Sequence, residues 1–173
     1  DAIASFKNYK LQNKQQSALN IKHGFCLSSK KDSLSFKNFL KTNKFKIVYF
    51  LDYGSISLNY LNIILNYNSN TLICIANKEM IIAGGTQLVD KIQTTKNILV
   101  PLDSEHFSLF RLNPNDLETK FLYITASGGP FYFNKNINLK SVSLKEVISH
   151  PKWKMGINNS IDSSNFINKI LEI

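Results

Sequence analysis

The sequence is short of arginine, of cysteine and of long apolar runs, and each shortage removes a class of function. Arg111 is the only arginine among 21 basic residues. The bidentate guanidinium contact to guanine is therefore missing from all but one position, which counts against base readout in a nucleic acid. The two cysteines, Cys26 and Cys74, form no C-x-x-C pair, so no zinc ribbon or dithiol redox motif is present. Cys74 lies inside the apolar run 71–76, where a thiol packs as a small hydrophobe, and a reducing cytoplasm is the simplest fit. No apolar stretch approaches the roughly 18 residues of a membrane span. Residues 1–16 are polar and basic, unlike a secretory signal. The chain opens on Asp1 and not on methionine, so the expectation is a chain that does not begin where its gene does.

With 173 residues, the chain is long enough for one large domain or two small ones, each with a core. Its formal charge of +9 is local: residues 1–50 hold ten lysines against Asp1 and Asp32, a net of +8, whereas residues 51–173 hold eleven basic residues against ten acidic, a net of +1. The lysines are interleaved with Asn, Ile, Ser and Phe, which reads as a solvated basic face. A basic RNA-binding module is the alternative, and it is less favoured because nucleic-acid footprints combine lysine with arginine or stacking aromatics.

Residues 1–31 show only a weak pattern and no motif. Residues 33–42 predict a helix with a serine start, ending at Asn43. The apolar runs 46–51 (KIVYFL), 71–76 (TLICIA) and 97–102 read as buried strands. Between them, 57–65 carries apolar residues at helical spacing, and 80–92 reads as a helix despite Gly84-Gly85. Strand, helix, strand at this spacing argues for a parallel sheet with crossover helices covering both faces. Asn77-Lys78-Glu79 follows the second strand at its carboxyl end, where open α/β sheets bind ligands. Simple helix capping by Asn77 explains the same placement.

Asp103-Ser104-Glu105-His106 follows the third strand. In an extended backbone Asp103 and Glu105 share a face and suit one hard divalent cation, with Ser104 and His106 opposite. An exposed acidic turn with a capping aspartate is the plainer reading. A helical stretch then runs through Arg111, with a polar break at 113–116. Residues 120–125 (KFLYIT) predict a strand leading into Ala126-Ser127-Gly128-Gly129-Pro130-Phe131. A serine before two glycines offers N–H donors and a hydroxyl to an anion, or else simply a tight turn. Residues 143–149 predict a short helix with a Ser143/Glu146 capping box. His150-Pro151-Lys152-Trp153-Lys154-Met155-Gly156 places the single tryptophan on a loop that suits a mobile cover. Residues 162–172 predict a last helix started by Asp162 or Ser163, on which Asn168, Lys169 and Glu172 are near neighbours, a surface Lys–Glu pair being the bland alternative.

The ordered set ANKE (76–79), DSEH (103–106), ASGGPF (126–131), HPKWKMG (150–156) and DSSNFINKILE (162–172) closely resembles the 1-deoxy-D-xylulose 5-phosphate reductoisomerase family over about residues 46–173. The resemblance implies an α/β fold: a partial Rossmann-like parallel sheet with helices, followed by part of an α+β catalytic domain. It implies residues 1–102 as the C-terminal part of an NADPH-binding domain and 103–173 as the N-terminal part of the catalytic domain. It implies Mg²⁺ or Mn²⁺ on Asp103, Glu105 and Glu172. It implies Lys78, Glu105, His150 and Trp153 as catalytic residues, Trp153 lying in the lid over the site, and Lys78 and Ser104 near the reacting oxygens. Ser127, Ser163, Asn168 and Lys169 would hold the phosphate of a sugar phosphate, with His150 beside it. Asn77, Glu79 and Gly156 would line the NADPH site, and His106 would be structural. The product would be 2-C-methyl-D-erythritol 4-phosphate, made in a bacterial cytoplasm, or else a plastid stroma. The full-length protein would be a homodimer with neither nucleic-acid nor membrane partners. A non-catalytic remnant of the fold is a further alternative.

This chain departs from the family pattern. Ile157 and Asn158 stand where two basic residues are usual, and Tyr132 where an arginine is. Residues 53–57 replace a Gly- and Pro-bearing turn, and Phe166, Ile167 and Ile170 replace methionines and a glycine. No G-x-x-G-x-x-G fingerprint precedes the first helix, and the family's C-terminal helical domain has no counterpart. The resemblance therefore implies an internal fragment, inactive as a free polypeptide.

Overall fold

The computed structural model describes residues 1–112, 119–126, 128–134 and 136–171, with the side chains of Asn158 and Asn168 left aside. It contains two compact units, Asp1–Val100 and Pro101–Ile173.

In the first unit, β1 (Ala2–Ser5), α1 (Tyr9–Ala18), β2 (His23–Cys26) and α2 (Lys30–Thr42) precede β3 (Ile47–Phe50), α3 (Leu58–Tyr67), β4 (Leu72–Ile75), α4 (Lys78–Thr94) and β5 (Ile98–Pro101). β1 and β2 pair in parallel, and β3, β4 and β5 form a second sheet in that order, β3 and β4 parallel. The expected parallel strands and crossover helices are present. Residues 1–31, where no element was expected, hold a complete β-α-β unit. The second helix starts at Lys30, three residues before the expected serine, because the Ser29 hydroxyl accepts the Asp32 N–H.

Consecutive strands in the order β3-β4-β5 send both crossovers over the same face when each is right-handed. On that face Leu61, Ile64 and Leu65 of α3 and Met80, Leu88 and Ile92 of α4 pack with Phe50, Ile73 and Ile75. Each fully buried aliphatic side chain stabilises the fold by about 1.5–3 kcal/mol. An aromatic chain continues the interior toward the first sheet: Phe25 and Phe36 lie 5.1 Å apart, Phe36 and Tyr60 5.2 Å. Cover on both faces is not what the edge strands have, since Ile47, Tyr49 and Ile98 are about half exposed.

Asparagines tie the amino ends of the strands together. Asn97 Oδ1 accepts the Thr71 N–H and its Nδ2 donates to the Asn68 carbonyl, while Asn68 Oδ1 accepts the Phe45 N–H and Thr71 Oγ1 donates to the Phe45 carbonyl. All three side chains are at most 5% exposed, so these bonds replace backbone partners that buried strand ends need. At Gly85, φ 55° and ψ −157° interrupt α4, a conformation only glycine adopts cheaply. The helix expected at 80–92 is thus two segments joined at a kink.

The second unit contains α5 (Ser104–Leu112), a 3₁₀ turn at Leu139–Ser141, α6 (Leu144–Val147), α7 (Ile157–Asn165) and α8 (Ile167–Ile170). The capping box at Ser143 and Glu146 is complete. The strand expected at 120–125 is absent: 119–126 is irregular, and Phe121, Leu122 and Tyr123 are more than half exposed. An apolar run becomes a strand only where a neighbour accepts its backbone bonds. The helix expected at 162–172 instead begins at Ile157 and breaks at Phe166, whose φ is +63°. Asp162 and Ser163, the expected starters, both sit inside α7, whose cap position is Gly156, and the Ser163 hydroxyl donates to the Ser160 carbonyl at 2.8 Å.

Candidate active site

Asp103 closes the approach to α5, and the tetrapeptide after β5 is helical from Ser104 onward, which corrects the extended reading. Asp103 Oδ2 accepts the His106 N–H at 3.4 Å, and the Asp103 carbonyl accepts the Phe107 N–H at 2.8 Å. That is the capping role of the plainer reading. The His106 ring folds back, its Nδ1 lying 3.2 Å from Asp103 Oδ2, and so orients the carboxylate.

Glu105, in the first turn of the same helix, is engaged on both oxygens. Oε1 pairs with the Lys169 ammonium from α8, and Oε2 accepts the Ser104 hydroxyl at 2.6 Å. Partial burial on its own would raise this carboxyl. The Lys169 and Ser104 bonds and the Glu105 N–H outweigh it and hold the group down at about 2. Glu105 is therefore ionised throughout the physiological range. Among the described residues no three His, Cys, Asp or Glu side chains gather to hold a metal. Glu172, the third carboxylate implied by the resemblance, lies outside them. The donors that are described fit Mg²⁺ or Mn²⁺, hard cations that take carboxylate oxygens.

A second constellation forms around His150. Its Nδ1 accepts the backbone N–H groups of Lys152 and Trp153 at 3.1 and 3.0 Å, and its Nε2 lies 3.0 Å from the Gly128 carbonyl. With Nδ1 accepting, Nε2 carries the proton and donates to that carbonyl. His150 thus pins the Trp153 loop to the glycine turn, a role that residue type alone did not disclose. Gly128 has φ +77°, and a Cβ on Gly129 would lie 2.4 Å from the Ser163 carbonyl. The turn therefore rests directly on the α7 backbone, so the glycine pair brings the segment at 128–129 against Ser163. Ser127 lies outside the described residues. Trp153 is 59% exposed and Gly156 has open space around it.

In the first unit, Asn77 is 1% exposed. Its Oδ1 accepts the Met80 N–H at 3.1 Å as the cap of α4, and its Nδ2 donates to the Gly54 carbonyl at 2.7 Å. Asn77 thereby joins the loops that follow β3 and β4, at the carboxyl ends where dinucleotides bind in such sheets. Gly54, at φ +79°, has nothing within 4 Å of where a Cβ would stand. The Asn77 amide is thus spent on holding the two loops together, and the open space is at Gly54. Lys78, the first residue of α4, is buried, and Glu79 is half-buried.

Residues 99–173 match the model of the 1-deoxy-D-xylulose 5-phosphate reductoisomerase C-terminal domain. A protein of that name from Pelagibacter ubique (strain HTCC1062) is 44% identical over 106 residues, which cover 58% of this chain and 26% of the relative. The chain is similar to the 1-deoxy-D-xylulose 5-phosphate reductoisomerase family over these residues. A reductoisomerase from Clostridium novyi (strain NT) is likewise 44% identical, over 61% of this chain and 28% of its own. The chain spans about a quarter of the length of these relatives. In fold it is similar to a reductoisomerase crystallised with NADPH, fosmidomycin and magnesium, with a TM-score of 0.68, 23% identity, and coverage of 99% of this chain and 44% of that one. It is also similar to the Zymomonas mobilis reductoisomerase in complex with NADPH, with a TM-score of 0.67, 20% identity, and coverage of 99% and 48%.

Proposed function

We propose that this chain carries the cation- and phosphate-binding residues of an enzyme that rearranges and reduces 1-deoxy-D-xylulose 5-phosphate to 2-C-methyl-D-erythritol 4-phosphate. The observation that carries this reading is the Glu105 carboxylate, held ionised beside Asp103 and paired with Lys169 from a distant helix. Similarity to the reductoisomerase family over residues 99–173 supports it. In the reaction, Mg²⁺ or Mn²⁺ supplies Lewis acidity at the substrate oxygens and NADPH supplies the hydride.

The chain's residues bind and orient. Asp103 and Glu105 offer carboxylate oxygens to the cation, together with Glu172. The Ser104 hydroxyl and the Lys78 ammonium orient the oxygens that react. Lys169, Ser127, Ser163 and Asn168 hold the phosphate, whose distance from the reacting carbons allows binding energy there to order the site. His150 fixes the glycine turn and the Trp153 loop in one arrangement, and Trp153 excludes water from above. Asn77, Glu79 and Gly156 contribute to the NADPH site. Residues 1–102 form part of the dinucleotide-binding domain, and the catalytic domain begins at Asp103. The assembled enzyme is a homodimer of the bacterial cytoplasm, a reading in keeping with the exposed apolar residues at 121–124. Among the described residues no helix is long and apolar enough to cross a membrane.

Titrating Mn²⁺ into the full chain, with free Mn²⁺ read by electron paramagnetic resonance, tests the assignment. Saturable binding that Asp103→Asn abolishes is expected. Equal affinity in the variant would overturn the metal assignment.

A further inference from the structure

Both oxygens of Glu105 have partners already: Oε2 the Ser104 hydroxyl, Oε1 the Lys169 ammonium. The residues of the ion pair are 64 positions apart, so the pair is a product of the fold and not of helical neighbourhood. Lys169 and Glu105 are 21% and 28% exposed, a setting in which each charge is screened less than on an open surface. Lys169 also sits on α8, a single turn set off from α7 by the left-handed Phe166. A carboxylate can serve an ammonium or a divalent cation at the same oxygen, but not both at full strength.

We infer that Lys169 is a built-in counter-ion for Glu105: it competes with the divalent cation for that carboxylate and is drawn off by phosphate. The inference rests on the reading under Proposed function and adds a coupling between its two halves. When phosphate engages the Lys169 ammonium, Oε1 is released to the cation. When a cation takes Glu105, the ammonium is released to phosphate. Each ligand therefore raises the affinity for the other by the same factor, as linkage demands. The bound pair also keeps Glu105 satisfied while neither ligand is present, which avoids a partly buried unpaired carboxylate.

The same Mn²⁺ titration, run on the full chain with and without inorganic phosphate, tests the coupling, with every measurement corrected for Mn²⁺ complexed by phosphate in a protein-free blank. In the unsubstituted chain phosphate is expected to tighten Mn²⁺ binding by about 5-fold or more. Lys169→Ala and Lys169→Gln are expected to bind Mn²⁺ more tightly than the parent in phosphate-free buffer and to lose the phosphate effect. Unchanged or weaker Mn²⁺ binding in both folded variants, or no phosphate effect in the parent, would overturn the inference while leaving the Asp103-dependent site standing. A parent that binds no Mn²⁺ would instead overturn the function on which the inference rests. Phosphate dependence in the parent needs no variant, so a substitution that fails to fold does not protect the idea.

Discussion

Two residues show how small groups set the local structure of the second unit. A methyl group at Gly129 meets a backbone oxygen, Ser163 O at 2.4 Å, whereas one at Gly128 meets the Tyr132 ring at 3.0 Å with φ at +77°. A ring can turn away and a carbonyl in a helix cannot. Gly129→Ala is therefore expected to destabilise this unit by about 1–3 kcal/mol, more than Gly128→Ala, where the left-handed backbone costs roughly 1–2 kcal/mol. Urea unfolding followed by Trp153 fluorescence compares them. Glu105 gives a pH dependence of known sign. Its carboxyl lies at about 2 in the fold against an ordinary 4.5, so the folded state favours the ionised form. The stability it contributes is complete above about pH 4.5 and is lost as pH falls from there toward 2. In chelator-treated protein the urea midpoint should drop across that window, and Glu105→Gln should flatten the drop. An equal slope in the variant would remove Glu105 as the cause.

At the scale of elements, what was legible in the sequence depended on whether burial and polarity agreed. The runs at 46–51, 71–76 and 97–102 are continuous and apolar, and β3, β4 and β5 lie inside them. The first βαβ unit was illegible for a physical reason. Its strands, AIAS and HGFC, are interrupted by Ser, His and Gly and form no continuous apolar run, and the one buried side chain of α1 is Gln12, so no apolar stripe announces the helix. Residues 120–125 misled in the opposite way, since an apolar run without a strand neighbour among the described residues remains irregular. In the site, the carboxylates and the serine-glycine turn were visible as residue types. The Lys169–Glu105 pair was not, because no local spacing relates residues 64 apart. Asn77 was open between cap and ligand contact, and the structure gives its side chain the cap and the Gly54 carbonyl. Asn77→Ala is expected to cost about 1–2 kcal/mol. Asn77→Asp should recover the part owed to the cap, as read by far-UV circular dichroism in urea.

Over the whole molecule, apolar interior is unevenly shared. Among the described residues every buried hydrophobic side chain, from Cys26 to Ile92, belongs to the first unit. The second relies on caps, turns and the Lys169–Glu105 pair, which contribute little next to a core. Unfolding is therefore expected in two steps. Trp153, the single tryptophan, should report a lower urea midpoint than far-UV circular dichroism, which is weighted toward α1–α4. Coincident transitions would show one cooperative unit. Within the first unit, the asparagine seam at the amino ends of β3, β4 and β5 implies a gradient of hydrogen exchange along each strand. The amide protons of Phe45 and Thr71, held by buried side-chain carbonyls, should exchange only through opening of most of the unit. Those of the loops at the carboxyl ends, around Tyr53 and Gly54, should exchange through far smaller fluctuations. One end of the sheet then keeps time with global unfolding, and the other, where a dinucleotide would lie, runs on a faster clock.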